Sequence, residues 1–223
     1  MSEPRLARKV LAEAVGSAAL LAAVVGSGIM GERLAGGNVA IALLANTLAT
    51  GAALVVLILA LGPISGAHLN PAVTMVELAE RRLAPAHAIA YMGAQLLGAV
   101  LGVMLAHGMF EEPLLSLSTK VRAGPAQLLA EVVATFGLVM VIAGVSRHRP
   151  AAVPAAVGLY IASAYWFTAS TSFANPAVTL ARSLTNTFAG IQPADAPGFI
   201  GAQLVGAALA FLGARLLFPR ETR

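Results

Sequence analysis

The 223 residues are 58% hydrophobic and only 11% charged, with a mean hydropathy of +0.83, which excludes a soluble domain that must cover its core with charge. Lipid is therefore the solvent expected for most of the chain. The net charge of +4 and pI near 10.1 would suit a nucleic-acid partner, but the positions of the cations argue for a membrane instead.

A membrane-crossing helix needs roughly 20 predominantly apolar residues. The first such run is Val10 to Met30. The N-terminal MSEPRLARKVLAEAVG resembles the start of a signal peptide, but its apolar run continues past a cleavable length and contains Glu13, so a retained span is expected. Val39 to Leu61, Ala86 to His107, Leu128 to Val145, Val153 to Phe167 and Phe199 to Leu217 follow. The expected architecture is an all-α membrane protein with six transmembrane helices, one domain over residues 1–223. Gly31 to Asn38, Gly108 to Pro125 and Thr185 to Pro197 read as aqueous loops between spans.

Ten of the 14 Lys and Arg residues occupy four places: Arg5, Arg8 and Lys9; Arg81 and Arg82; Arg147 and Arg149; and Arg215, Arg220 and Arg223. With six spans, all four fall on one side of the membrane. Basic loops stay in the cytoplasm, so both termini are expected there, in a cell (inner) membrane. Cysteine is absent, which removes disulfides, thiolate ligands and a cysteine nucleophile. Neither HExxH nor GxSxG occurs, and no carboxylate pair on one helix turn faces a His, so no catalytic residue, metal site or cofactor is expected.

The chain repeats itself. Ala12-Glu13-Ala14-Val15 is echoed by Ala130-Glu131-Val132-Val133, His68-Leu69-Asn70-Pro71-Ala72-Val73-Thr74 by Phe173-Ala174-Asn175-Pro176-Ala177-Val178-Thr179, and Gly93-Ala94-Gln95-Leu96 by Gly201-Ala202-Gln203-Leu204. The three pairs keep their order at offsets of about 110 residues, the mark of an internal duplication. The halves span about residues 10–107 and 128–217, with three spans each. An odd number of spans forces the second half to enter from the opposite face, which gives an inverted 3+3 repeat.

Each Asn-Pro-Ala opens an apolar stretch too short to span, Asn70 to Leu78 and Asn175 to Leu184. Asn is a preferred N-cap, and Pro suits the first helical position, where its missing N–H costs nothing. Two re-entrant half-helices are therefore expected to meet N-terminus to N-terminus near the midplane. Their positive dipole ends would oppose cations, and each Asn NH2 would be free to donate to a passing oxygen.

With these motifs, SGAHLNPAVT and SFANPAVT, the chain resembles the major intrinsic protein family, the aquaporins and aquaglyceroporins, from Glu13 to Gln203. The resemblance implies six tilted helices plus two half-helices, a pore in each subunit and a homotetramer in a plasma membrane. It assigns Asn70, Pro71, Ala72, Asn175, Pro176 and Ala177 to the pore centre. Glu13 and Glu131 match the family's paired glutamates that brace the loops beside the half-helices, and His68 matches a loop-bracing histidine. His87, His107 and His148 lie near span ends and receive no role.

The family's constriction usually includes an arginine three residues after the second motif's Asn, and here that residue is Val178. Its other walls fall on Thr50, Ser172 and either Tyr165 or Ser163, because counting from Gly158 and from Asn175 gives different answers. Such a ring is wider and less charged than a water filter and favours solutes larger than water. Arg182, one turn beyond Val178, is placed in the outer vestibule, either as the displaced arginine or as a surface residue. The stretch YWFTASTSFANPAVTLARSLT is similar to a bacterial subgroup linked to arsenic resistance. That similarity implies neutral arsenite and methylated arsenicals as solutes beside water and glycerol-like polyols.

The alternatives are an orthodox water channel, against which Val178 and Thr50 stand, and a secondary active transporter. Transporters also use inverted repeats and broken helices, but coupling needs ionisable groups on the path, and only Glu13 and Glu131 are available. Gly98 and Gly102 permit close helix packing either within the chain or between subunits.

Overall fold

The computed structural model describes residues 5–218, which are helical apart from the connecting loops. Arg220 and Arg223, two of the cations on which the expected orientation rests, lie outside the described residues. The helices are α1 (Leu6–Leu34), α2 (Val39–Ser65), α3 (Pro71–Ala79), α4 (Pro85–Phe110), α5 (Pro125–His148), α6 (Val153–Phe167), α7 (Pro176–Arg182) and α8 (Ala196–Leu217), with a 3-10 turn over Pro150–Ala152 ahead of α6. Among the described residues, six helical segments are long and apolar enough to cross a membrane.

Except for α6, which covers Val153–Phe167 as expected, the membrane-crossing helices run longer than the apolar runs that announce them. α1 continues through Glu32 and Arg33 to Leu34, and α2 starts where the Asn38 side chain accepts from the backbone N–H groups of Ala40 and Ile41. The loop expected from Gly31 thus shrinks to the few residues between Leu34 and Asn38. Counting apolar residues stops at the first charge, whereas helix hydrogen bonding continues into the aqueous interface. At the other end of α2, Gly66 adopts a left-handed conformation, with φ of 90°, and turns the chain back into the bundle.

α1 packs on α4 and α2, and α5 packs in the same way on α8 and α6, while α2 and α6 join the two halves. Lipid tails are as apolar as leucine, so helices in a bilayer gain little from burying apolar area against each other. Close backbone approach takes its place. A Cβ on Gly98 would run into the Ala14 carbonyl, one on Gly102 into that of Ala18, and one on Gly206 into that of Val132. At the junction of the halves, a Cβ on Gly158 would stand 2.5 Å from the Gly51 carbonyl oxygen. Gly98 and Gly102 therefore serve packing within the chain.

The half-helices α3 and α7 are capped alike. Asn70 (φ −157°) accepts from Ala72 N at 2.9 Å, and Asn175 (φ −159°) accepts from Ala177 N at 3.0 Å and Val178 N at 3.3 Å. Their N-termini are tied together: Asn70 Nδ2 donates to the Ala174 carbonyl at 2.7 Å, and Asn175 Nδ2 donates to the Leu69 carbonyl at 2.8 Å. This corrects the expectation of a wholly free NH2 at each motif. An amide NH2 has two hydrogens, and one on each asparagine is used to clamp the opposite loop.

Candidate functional site

A cavity of about 300 Å³ runs through the middle of the bundle. Glu77, Arg82 and Ser146 line it at the end where Arg147 and Arg149 cluster, Asn70 and Asn175 line its centre, and Thr50, Tyr165, Val178 and Arg182 line it beyond them. Leu20, Val24, Leu54, Leu138, Val157 and Ile161 make an apolar wall.

The opposite wall is backbone. In the loop before α3, Gly66, Ala67 and Leu69 have φ of 90°, 46° and 50°; in the loop before α7, Thr171, Ser172 and Ala174 have φ of 61°, 49° and 47°. Each non-glycine residue held in the left-handed region costs roughly 1–2 kcal/mol, so strong bonds must hold both loops. Glu13 and Glu131, fully buried, supply them. Glu13 accepts from His68 N at 3.0 Å, Leu69 N at 2.8 Å and the Ser65 hydroxyl at 2.6 Å. Glu131 accepts from Phe173 N and Ala174 N, both at 2.9 Å.

A trans peptide points its C=O opposite to its N–H. With the N–H groups of His68, Leu69, Phe173 and Ala174 aimed at carboxylates, the carbonyls of Ala67, His68, Ser172 and Phe173 face away from them. These residues line the cavity. The result is a ladder of acceptors, with the remaining hydrogen of each Asn amide and the Ser172 hydroxyl, buried without a protein partner, as donors. One polar stripe against an apolar wall suits a small solute that carries several hydroxyls.

Thr50, Tyr165, Ser172 and Val178 are all buried on this cavity, and the Tyr165 hydroxyl lies 3.4 Å from Thr50 Oγ1. Ser163, the other candidate for the fourth wall, is exposed and donates to the Tyr160 carbonyl at 2.7 Å. Helix α6 thus turns Tyr165 inward and Ser163 outward.

Arg182 corrects the surface reading. It is only 2% exposed, its Nε donates to the Ala189 carbonyl, and its guanidinium carbon sits 3.4 Å from the centre of the Phe173 ring. Arg122 lies 5.0 Å from the same ring and is tied to the carbonyls of Gly190 at 2.9 Å and Ser170 at 3.2 Å. Nearby in the loop, Lys120 donates to the Phe188 carbonyl at 2.8 Å. Burial, and then the charges of Arg122 and Arg182, hold the Lys120 ammonium below the usual lysine range.

His68 lines the cavity with Nδ1 3.1 Å from Thr74 Oγ1 and stacks edge-on against Tyr91, whose hydroxyl donates to the Ser65 carbonyl at 2.9 Å. Gln95 and Gln203 were missed as site residues. Gln95 Nε2 donates to Glu13 at 2.8 Å and Thr74 Oγ1 at 3.0 Å, and Gln203 Nε2 donates to Glu131 at 2.6 Å and Thr179 Oγ1 at 2.8 Å. Each links a brace to its half-helix, and their equivalent places in the Gly-Ala-Gln echo were the signal for it. His107, given no role from sequence, is fully buried. Its Nδ1 lies 2.6 Å from the Pro113 carbonyl and its Nε2 2.7 Å from Thr185 Oγ1, joining the loops after α4 and α7.

The family described as Major intrinsic protein matches residues 1–165. The aquaglyceroporin AqpS of Rhizobium meliloti is 59% identical over 94% of this chain and 90% of its own length, and the aquaporin NIP2-2 of Zea mays is 33% identical over 84% of this chain and 65% of its own. The fold is similar to that of the aquaglyceroporin from Plasmodium falciparum, with a TM-score of 0.78 and 20% identity over 96% of this chain and 98% of that one.

Proposed function

This chain belongs to the major intrinsic protein family of membrane channels, and we propose that it passes small uncharged polyols as well as water by diffusion. The observation that carries the reading is Val178 on the cavity wall, at the place where an arginine would narrow the passage and donate to the solute. Thr50, Ser172, Val178 and Tyr165 form the proposed selectivity ring. The Asn70 and Asn175 amides at the meeting half-helix ends re-orient each solute and oppose cations, because positive dipole ends face the lumen from both sides. Neutral arsenite, a small triol in shape and hydrogen bonding, belongs to the proposed solute class, together with methylated arsenicals. The basic end faces the cytoplasm, which puts both termini there in an inner membrane, and the subunits assemble as a homotetramer, on the strength of the family resemblance.

One observation favours a narrower, water-selective pore: Tyr165 and Arg182 both reach the same cavity, and an aromatic and a guanidinium together can close a ring. Stopped-flow light scattering on proteoliposomes separates the readings. Wild type should pass glycerol as well as water, and Val178→Arg should abolish glycerol flux while keeping water flux. Water flux alone in the wild type would refute the polyol reading. An arsenic-efflux assay with equal rates in cells with and without the protein would remove arsenite from the list of solutes.

A further inference from the structure

At the outer end of the first cavity, Arg182 lines the wall while only 2% exposed. Its Nε bond to the Ala189 carbonyl is its one hydrogen bond among the described residues, so both terminal nitrogens meet the cavity without an acceptor. Ser172, next in the chain to the Phe173 ring on which Arg182 lies, lines the same cavity with a hydroxyl that is also buried and unpartnered.

Two more cations stand behind Arg182. Arg122 lies against the Phe173 ring and Lys120 against Phe188, and backbone carbonyls hold both, as they hold Arg182. Among the described residues, no carboxylate forms an ion pair with any of the three. The acids of this region are engaged elsewhere: Asp195 accepts from Arg122 N at 2.7 Å, and Glu131 accepts from Phe173 N, Ala174 N and Gln203. Glu32 acts on Lys120 through space. None of them gives Arg182 an oxygen. A Cβ on Gly28 would stand 3.4 Å from Phe188 and 3.6 Å from Ala189, which puts the site about 33 Å along α1 from Leu6. Residues 1–4 and 219–223 therefore join the bundle at its other end.

Water can meet the hydrogen bonds of a guanidinium but not its charge, and a buried cation without a counter-ion is costly. Two parallel N–H groups match the two oxygens of one carboxylate, whereas chloride has a single centre and glycerol no charge. Inward of Arg182, an anion meets the carbonyls of Ala67, His68, Ser172 and Phe173 opposite apolar side chains, and no other Lys or Arg lines the cavity before Arg82 at the basic end. A carboxylate is thus stabilised at the mouth and destabilised further in. We infer that the outer mouth binds a small hydroxycarboxylate, its carboxylate on the terminal nitrogens of Arg182 and a hydroxyl on Ser172, and that the bound anion blocks the passage. The binding stands on this geometry, and the block rests also on the polyol path proposed above.

The test is thermal unfolding of the full-length protein in detergent with sodium glycerate, glycerol or sodium chloride, paired with glycerol flux into proteoliposomes with glycerate outside. Glycerate should raise the unfolding midpoint more than either control and should lower glycerol flux over the same concentration range. Arg182→Gln should weaken glycerate binding about tenfold and Ser172→Ala about fivefold. If Arg182→Gln does not fold, Ser172→Ala carries the comparison, since alanine already occupies the same left-handed conformation at Ala174. Equal midpoints in glycerate and chloride, or glycerate binding unchanged in Ser172→Ala, would overturn the site. A raised midpoint with undiminished glycerol flux would overturn the block. Absence of all glycerol flux would count against the polyol path, and the unfolding comparison would still decide the binding.

Discussion

Replacing Glu131 by glutamine should loosen the loop before α7 and cost the protein about 3 kcal/mol of stability. The carboxylate takes two backbone N–H groups and the Gln203 amide on two oxygens. Glutamine has one oxygen and turns an NH2 toward the remaining donor, so at least one buried N–H is orphaned, at roughly 1–3 kcal/mol, and the surviving bonds lose their charge assistance, at about 1 kcal/mol each. Relief of the buried charge offsets part of this. The left-handed residues Thr171, Ser172 and Ala174 store strain in the same loop and would relax first. The assay is paired: thermal unfolding of the purified protein, and glycerol and water flux in proteoliposomes. Both the unfolding midpoint and the ratio of the two fluxes should fall from their wild-type values, with Glu131→Asp intermediate. A glutamine variant that melts and conducts as the wild type does would show that the charge is not what holds the loop.

Asn175→Ala removes the cap of α7 and the clamp on the Leu69 carbonyl, and should destabilise by about 2–3 kcal/mol, read by the same unfolding experiment. Gly98→Val drives a branched side chain into the Ala14 backbone and should cost about 3 kcal/mol or more, seen as loss of monodisperse protein; Gly93→Val, where nothing lies within 4 Å, should be tolerated. Arg122→Gln should leave Arg182 in place, because Arg182 has its own bond to Ala189, whereas Phe173→Leu removes the ring beneath both cations and should change glycerol flux. The reverse order of effects would mean that Arg122 holds the site.

The membrane class, the six spans, the duplication and the capped half-helices were legible in the chain because each rests on local chemistry: apolar run length, repeated tripeptides, and Asn followed by Pro. The brace at Glu13 was legible through its twin at Glu131, since two buried acids in equivalent places have a common task. Both ends of α6, the start of α2 and the end of α8 were legible too, but the other helix ends were not; hydrogen bonding carries α1, for example, past Met30 through charged residues that an apolar count treats as a stop. Counting along the chain also could not choose between Tyr165 and Ser163, which lie on nearly opposite faces of α6; only its packing against α2 decides which one meets Thr50. The same holds for Arg182, where spacing fixes the face of a short helix but not its surroundings, and the fold closes Phe173 and Ala189 over it. Local composition thus determined what kind of elements form and how they are duplicated. Which polar groups are buried against which was decided by the meeting of two halves about 105 residues apart, a distance that no local interaction spans.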